Sequence, residues 1–370
     1  TGGASDGGPG GAGGSVAGSG GAAGKDAGGA TDAGRDAGDA GRDAGDAGDA
    51  GRDAGAITGP CDIYNSGGAP CVAAHSTVRA LYGAYSGALY QVRRASDKGT
   101  KDIGVLSAGG FADSAAQDAF CASTTCTISI LYDQSPKQNH LTSAPGGGAA
   151  PMPDVEVSAT ALKVTVGGHS VYAMHITPGV GYRNNKTAGV ATGDAPETEY
   201  MVTSGTFFNN GCCFDYGNAE TTNNDDGNGT MEAVYFGGGV IWGTGAGTGP
   251  WVEADLENGL FAGGTTGKVM TNTSLTSPYV TAMIVGRSGS FAIKGGDAQS
   301  GALKTMYDGA RPSGGYNPMK KQGAIILGIG GDNSNSAQGN FFEGVMTAGN
   351  APSAVDDAVQ ANIVAAGYGK

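Results

Sequence analysis

The sequence predicts an all-β fold, a sandwich or barrel, with a short C-terminal helix and a disordered Gly/Ala/Asp linker in front of it. Three observations carry this. From Pro60 onward, short apolar or alternating stretches are separated by Gly, Asn, Asp and Ser turns every eight to fifteen residues. A clear helical period occurs over Ser353–Ala366, and helix is otherwise scarce. Residues 1–58 hold no Leu, Met, Phe, Tyr, Trp or Cys. The expected organisation is a low-complexity linker over 1–58 and one large domain over 59–370.

The linker cannot bury enough apolar surface to offset backbone ordering, which costs about 1–2 kcal/mol per residue. Its irregular Asp-Ala-Gly repeat from Asp26 to Gly55 reads as a flexible, solvated spacer. Proline is nearly absent and the register slips, which excludes collagen. Calcium binding by the Asp residues is the alternative reading.

In the domain, expected strands cover Cys126–Tyr132, Val155–Val166, Tyr200–Phe207, Glu232–Phe236, Trp251–Glu257, Tyr279–Val285, Ser290–Lys294 and Ala324–Ile329. Part of His75–Gln91 has a helical pattern. Over Ser353–Ala366, Val355, Val359, Ile363 and Ala366 share a face, Ser353 is placed to cap the start, and Gly367 closes the end. The close-spaced cysteines point to local disulfides, Cys61–Cys71, Cys121–Cys126 and Cys212–Cys213, and to an oxidising compartment. For the adjacent pair, bonding of each cysteine elsewhere stays open.

Trp251–Glu257 is the first segment that carries chemistry. Strand alternation sends Val252, Ala254 and Leu256 into a core and puts Trp251, Glu253, Asp255 and Glu257 on the opposite face. Three carboxylates and an indole on one face suit a sugar cleft, since glycoside hydrolysis needs a carboxylate and a carboxylic acid. An outward, solvated acidic strand is the plain alternative. The second segment is Ala324–Gln338, where Gly328 and Gly330 would open space beside Asp332, although Asp-Asn-Ser-Asn equally makes a turn. Trp242 and Trp251 offer sugar platforms or core filling. Asn223–Thr230 resembles a calcium loop weakly and a turn better.

Net charge is −13, from 21 basic and 34 acidic residues. No basic stripe exists, so nucleic acid and anionic membrane are poor partners, and a neutral substrate fits. No apolar run reaches the ~20 residues of a membrane span. His75, His140, His169 and His175 lack ligand spacing, and no nucleotide loop or nucleophile elbow is present, so neither metal nor cofactor is expected.

Longer strings carry a resemblance. They are Gly59–Tyr64, Cys71–Thr77, Arg79–Tyr90, Cys212–Glu220, Trp242-Gly-Thr-Gly, Asp255–Phe261 and Gly328–Gly339. Together they resemble the fungal-type α-L-arabinofuranosidase B catalytic domain, glycoside hydrolase family 54, from Gly59 to Tyr368. The resemblance implies a concanavalin-like β-sandwich of jelly-roll type. It also implies retaining, exo-acting release of arabinofuranose from plant cell-wall polysaccharide or arabino-oligosaccharides. In it, Glu257 is the nucleophile and Asp332 the acid/base. Trp242, Asp255, Asn258, Leu260 and Gly331 bind the sugar, with a vicinal disulfide Cys212–Cys213 against it. The expectation is then an ionised Glu257 and an Asp332 with a raised pKa. The cysteines and the tail, which is foreign to the family, add the expectation of a secreted monomer whose linker holds it away from a cell surface or another module. Residues 144–168 and 263–277 depart from the family strings. The β-trefoil arabinose-binding module usual in the family is not reached before Lys370, so tight targeting to polymer is not expected. A lectin-like module and action on β-xylosides are the alternative functions.

Overall fold

The computed structural model describes residues 57–239 and 242–370. The linker expected over 1–58 therefore lies almost wholly outside the described residues.

Two antiparallel sheets form the body. The six-stranded sheet runs Cys71–Ser76, Glu343–Thr347, Glu197–Thr203, Val280–Arg287, Ser290–Asp297, Lys304–Ala310. The seven-stranded sheet runs Leu260–Phe261, Trp251–Asp255, Glu232–Gly237, Asp215–Ala219, Ala324–Leu327, Tyr182–Asn184, Thr142–Ser143. The central strands of the two sheets pack face to face, so the architecture is the expected sandwich. Period-two apolar residues drive the stacking. Val252 and Ala254 point inward, with Val252 against Gly295 of the opposite sheet, and both are fully buried.

The interior is not wholly apolar. Lys321 reaches Glu197 at 2.7 Å and Glu232 at 2.8 Å, and Arg311 reaches Glu232 at 2.8 Å, all four side chains being 1% exposed or less. Burial alone would raise Glu232, but Lys321 and Arg311 outweigh it and hold the carboxyl below its usual range. Arg79 forms a second buried pair, with Glu343.

The C-terminal helix spans Ser353–Ala365, burying Val359 and Ile363. Its cap differs from expectation. Pro352 stands at the cap, and the Ser353 hydroxyl instead accepts from Lys294 Nζ at 2.9 Å, next to the Lys294–Asp356 ion pair at 2.6 Å. Several elements also depart from the sequence pattern. His75–Gln91 holds no helix: Cys71–Ser76 pairs with Glu343–Thr347, and Ala88–Arg94 forms another strand. Pairing wins there because His75 is fixed by Tyr216 Oη at 3.0 Å and by the Asn139 carbonyl at 2.9 Å. Of Val155–Val166 only Leu162–Val166 is a strand, with Val155 at 61% exposure. Two short helices, Pro60–Ser66 and Ser114–Phe120, were not expected. Disulfides Cys61–Cys71 and Cys121–Cys126 each fasten one of them to the strand that follows.

Candidate active site

The neighbouring strands Asp215–Ala219, Glu232–Gly237 and Trp251–Asp255 put a row of side chains on the face of the seven-stranded sheet away from the core. Asp215 pairs with Tyr235, Tyr235 with Glu253, and Gly217 with Ala233, which pairs with Asp255. This face is covered, and Trp251, Glu253 and Asp255 are all buried. Trp251 is buried and off the cavity wall, its indole Nε1 donating to the Ala246 carbonyl at 2.8 Å.

The strand that was expected to end at Glu257 ends at Asp255. Leu256 N–H bonds the Gly259 carbonyl across a tight turn, and the central residues Glu257 and Asn258 have φ of 61° and 54°. Positive φ at both central residues is the signature of a type I′ hairpin, matched to strand twist. A glutamate pays a conformational penalty there. The turn swings Glu257 off the sheet, and Asp255 Oδ1 accepts its backbone N–H at 3.1 Å. Asn258 Nδ2 donates to Asp225 Oδ1 at 2.9 Å, and Tyr316 Oη donates to the Asn258 carbonyl at 2.9 Å.

Asp332 also lies on a turn rather than a strand. The strand Ala324–Leu327 stops before Gly328 (φ 80°), and Asp332 Oδ1 accepts from Ser334 N–H at 2.9 Å. Residues of the 144–154 loop fasten this turn. Ala149 N–H donates to the Asp332 carbonyl at 2.9 Å, and Asn335 Nδ2 donates to Asp154 Oδ1 at 2.5 Å. Cys212 and Cys213 are bonded to each other and clasp the same turn, with Cys213 N–H to Ser334 O at 3.1 Å and Ser336 N–H to Cys212 O at 2.9 Å.

These pieces enclose a cavity of about 190 Å³ lined by Cys212, Asp225, Trp242, Asp255, Glu257, Asn258, Gly259, Gly331, Asp332 and Ser334. That is below the ~300–1,000 Å³ of drug-sized sites and suits a single small ring. Glu257 and Asp332, from turns far apart in sequence, share it. Leu260 and Cys213 stand one layer behind, packed with Tyr235 and Trp242. The pattern reading missed Asp225, Gly259 and Ser334 on the wall. It also missed Asp215, Glu220 and Arg183 beneath it. Asp225 sits in the Asn-Asp turn that the calcium reading had noticed.

The electrostatics are unusual. Burial, then Asp255, Glu220 and Asp332, push Glu257 up to about 11, so the free site does not hold it as the expected simple carboxylate. Burial and Asp255 take Glu253 to about 9. Burial likewise raises Asp255 to about 7 and, with Asp255 beside it, lifts Asp215 well above the carboxylate range. Arg183 is the cation here. It donates to the carbonyls of Gly331 (2.6 Å) and Glu220 and to Asn185 Oδ1 (2.6 Å), and burial lowers it to about 10 against the pull of Glu220, Asp332 and Glu257. The cysteines and Asp255 lie within metal-binding reach of one another, but sulfurs joined in a disulfide are not thiolate ligands.

A β-sandwich with a one-ring pocket walled by carboxyls, an indole and a disulfide has the build of a glycosidase. Comparison makes the assignment specific. Residues 60–369 match the family "Alpha-L-arabinofuranosidase B, catalytic", and the chain belongs to that family. It is 59% identical over 317 residues to a probable α-L-arabinofuranosidase B of Aspergillus fumigatus, covering 84% of this chain and 63% of the relative. It is 58% identical over 315 residues to an arabinofuranosidase/B-xylosidase of Trichoderma koningii, covering 84% of this chain and 63% of the relative. The chain thus spans a little under two thirds of these relatives. Among solved structures it is similar to an arabinofuranosidase complexed with arabinofuranosyl-α-1,2-xylobiose, at 53% identity and a TM-score of 0.82, covering 84% of this chain and 66% of the other. A GH54 arabinofuranosidase soaked with a cyclic sulfate inhibitor aligns with the same TM-score and coverage at 54% identity.

Proposed function

We propose that this chain is a retaining, exo-acting α-L-arabinofuranosidase that removes terminal arabinofuranosyl groups from arabinoxylan, arabinan or their oligosaccharides. One observation carries the reading: Glu257 and Asp332 line a single cavity sized for one sugar ring. Glu257 attacks the anomeric carbon while Asp332 protonates the departing glycosidic oxygen. A covalent glycosyl-enzyme forms, and Asp332 then takes a proton from the water that hydrolyses it. Trp242 gives the ring an apolar wall, and Asp255 and Asn258 offer polar partners for its hydroxyls. Burial and the neighbouring acids raise the proton affinity of Glu257. An oxocarbenium-like centre beside it favours the anion, so the same burial that holds a proton in the free protein strengthens attraction to the transition state.

The relative named for both arabinofuranosidase and B-xylosidase favours a second activity on β-xylosides in the same pocket. The disulfides support a secreted enzyme, and no helix among the described residues is long and apolar enough to cross a membrane.

Release of nitrophenol from aryl α-L-arabinofuranoside and aryl β-D-xyloside tests the activity, and NMR of the first-formed sugar tests retention. Binding without release would support a lectin-like module and overturn the enzyme. A mechanism-based label recovered on the peptide of Asp332 rather than Glu257 would exchange the two roles.

A further inference from the structure

Glu220 is a carboxyl that the hydrolytic scheme above does not use. It directly follows the Asp215–Ala219 strand, is fully buried, and has its backbone carbonyl clamped by Arg183. Its Oε1 accepts from the Thr230 hydroxyl at 2.5 Å. Its Oε2 is buried and meets no N–H or hydroxyl donor among the described residues. What it does meet is the Glu257 carboxyl. A Cβ placed on Gly331 would lie 1.9 Å from Glu220 Oε2 and 2.9 Å from Glu257 Oε2. The residue is glycine because two carboxyls close over it. Two carboxylates in that position would repel in a low dielectric, and Glu220 Oε2 would remain an orphan acceptor. One proton between them converts the repulsion into a charge-assisted O–H···O bond.

We infer that Glu220 is the positioning residue of Glu257: the two share one proton, and with sugar bound that proton rests on Glu220, leaving Glu257 an anion fixed by an O–H donor. The inference rests on Glu257 being the nucleophile. Through the cycle the proton is never consumed. Glu257 closes its bond to the anomeric carbon while Asp332 gives its own proton to the leaving oxygen. Glu220 then donates to the carbonyl oxygen of the resulting ester. Hydrolysis returns Glu257 as the anion and gives Asp332 a proton from water, with Glu220 still protonated. Asp255, Asp215, Asp332, Arg183 and Tyr316 also face the pair electrostatically. Burial raises Glu220 itself, with the hydrogen bonds from Thr230 and Glu257 opposing.

Glu220→Gln is the test, because an amide keeps the shape and a donor but is a weaker donor than a carboxylic acid. The acidic limb of the kcat/KM profile, on aryl arabinofuranoside, should move up by about one pH unit, with kcat falling more than KM changes. If Glu220 were a permanent carboxylate, its removal would relieve repulsion on Glu257 and move that limb down. A downward shift or an unmoved limb overturns the proposal. Neutron diffraction on the free wild-type protein needs no variant and no activity: a deuteron on the line between the two carboxyls supports the inference, and its absence overturns it. A wild-type chain that hydrolyses neither glycoside would instead sink the hydrolase reading, while the neutron result still decides the shared proton.

Discussion

Two clusters of buried acids lie on opposite faces of the same seven-stranded sheet, and they are balanced differently. Between the sheets, Glu197 and Glu232 are met by Lys321, and Glu232 also by Arg311, at 2.7–2.8 Å. Under the pocket, Asp215, Glu220, Glu253, Asp255 and Glu257 are buried in the same degree, yet Arg183 spends its donors on backbone carbonyls and Asn185. In the first cluster Lys321 and Arg311 hold Glu232 below its usual range, while burial still takes Glu197 to about 7 and lifts Glu199 well above the carboxylate range. The second is neutralised by protons, as the raised affinities of Glu253, Asp255 and Glu257 show. Proton-neutralised acids can give up their protons when a positive centre arrives, whereas acids tied to lysine and arginine are already satisfied. What separates site from scaffold is the buried ion pairing of Lys321 and Arg311 with Glu197 and Glu232, which the pocket acids lack among the described residues.

Glu257→Gln should break the pocket side with the largest effect. Turnover is expected to fall on the order of 10⁴-fold or more, while the unfolding midpoint barely moves, because the amide replaces a group that carries its proton in the free site. Activity on aryl arabinofuranoside and a thermal melt measure the two halves. A collapse of stability with activity intact would reverse the comparison.

Lys321→Met attacks the other cluster and should do the opposite. Removing the cation strands Glu197 in the core and leaves Glu232 with Arg311 alone, a loss of about 3–5 kcal/mol read by denaturant unfolding, with kcat of the folded fraction unchanged. Glu232→Gln belongs to the same test. Its folded pKa is depressed, so the stability it contributes is present above its unfolded pKa near 4.5 and fades as pH falls through the lower folded value. The variant should be weaker than wild type at pH 7 and approach it in acid.

Gly331→Ala adds a methyl where Glu220 and Glu257 converge, at distances that no real Cβ tolerates. One of the two carboxyls must move, and kcat/KM is expected to drop about 100-fold, as for an ångström-scale misplacement of a reacting group. An unchanged kcat/KM would mean that the glycine is there for the sugar alone.

Much of the sandwich was legible because buried strands declare themselves by alternation. Val252 and Ala254 pointed inward as read, and Val280–Arg287 and Ala324–Leu327 fell where the apolar runs lie. Alternation failed where it was carried one turn too far. It kept Glu257 on the strand, although Glu257-Asn258-Gly259 contains the Asn-Gly step that marks a hairpin. The resemblance named Glu257 and Asp332 directly. Asp215, Glu220 and Arg183 had no signal of their own, since each acts through contacts made by distant strands, and nothing local tells a buried acid with a proton from an exposed one without. The His75–Gln91 error has the same root: strand pairing at its two ends, His75–Ser76 with Glu343–Gly344 and Ala88–Gln91 with Thr100–Gly104 and Cys126–Leu131, overrode a local helical pattern.

The smallest expected effect is also the cleanest test of proton against cation. Glu253 is fully buried, neither of its oxygens has a donor among the described residues, and it lies away from the cavity wall. Burial and Asp255 raise it to about 9, against an ordinary 4.5. Below about pH 4 the carboxyl is protonated in both folded and unfolded chains, so its contribution to stability is at its fullest. Between about 4.5 and 9 the unfolded chain releases the proton and the folded chain keeps it, so stability drains away as pH rises. Glu253→Gln fills the same space and cannot ionise. Its melting temperature should match wild type near pH 4 and stand about 2–5 °C above it at pH 8, the opposite sign to Glu232→Gln at neutral pH. Melting curves that run parallel across that range would mean that Glu253 is charged in the folded protein, and the distinction between the two acid clusters would lose its simplest member.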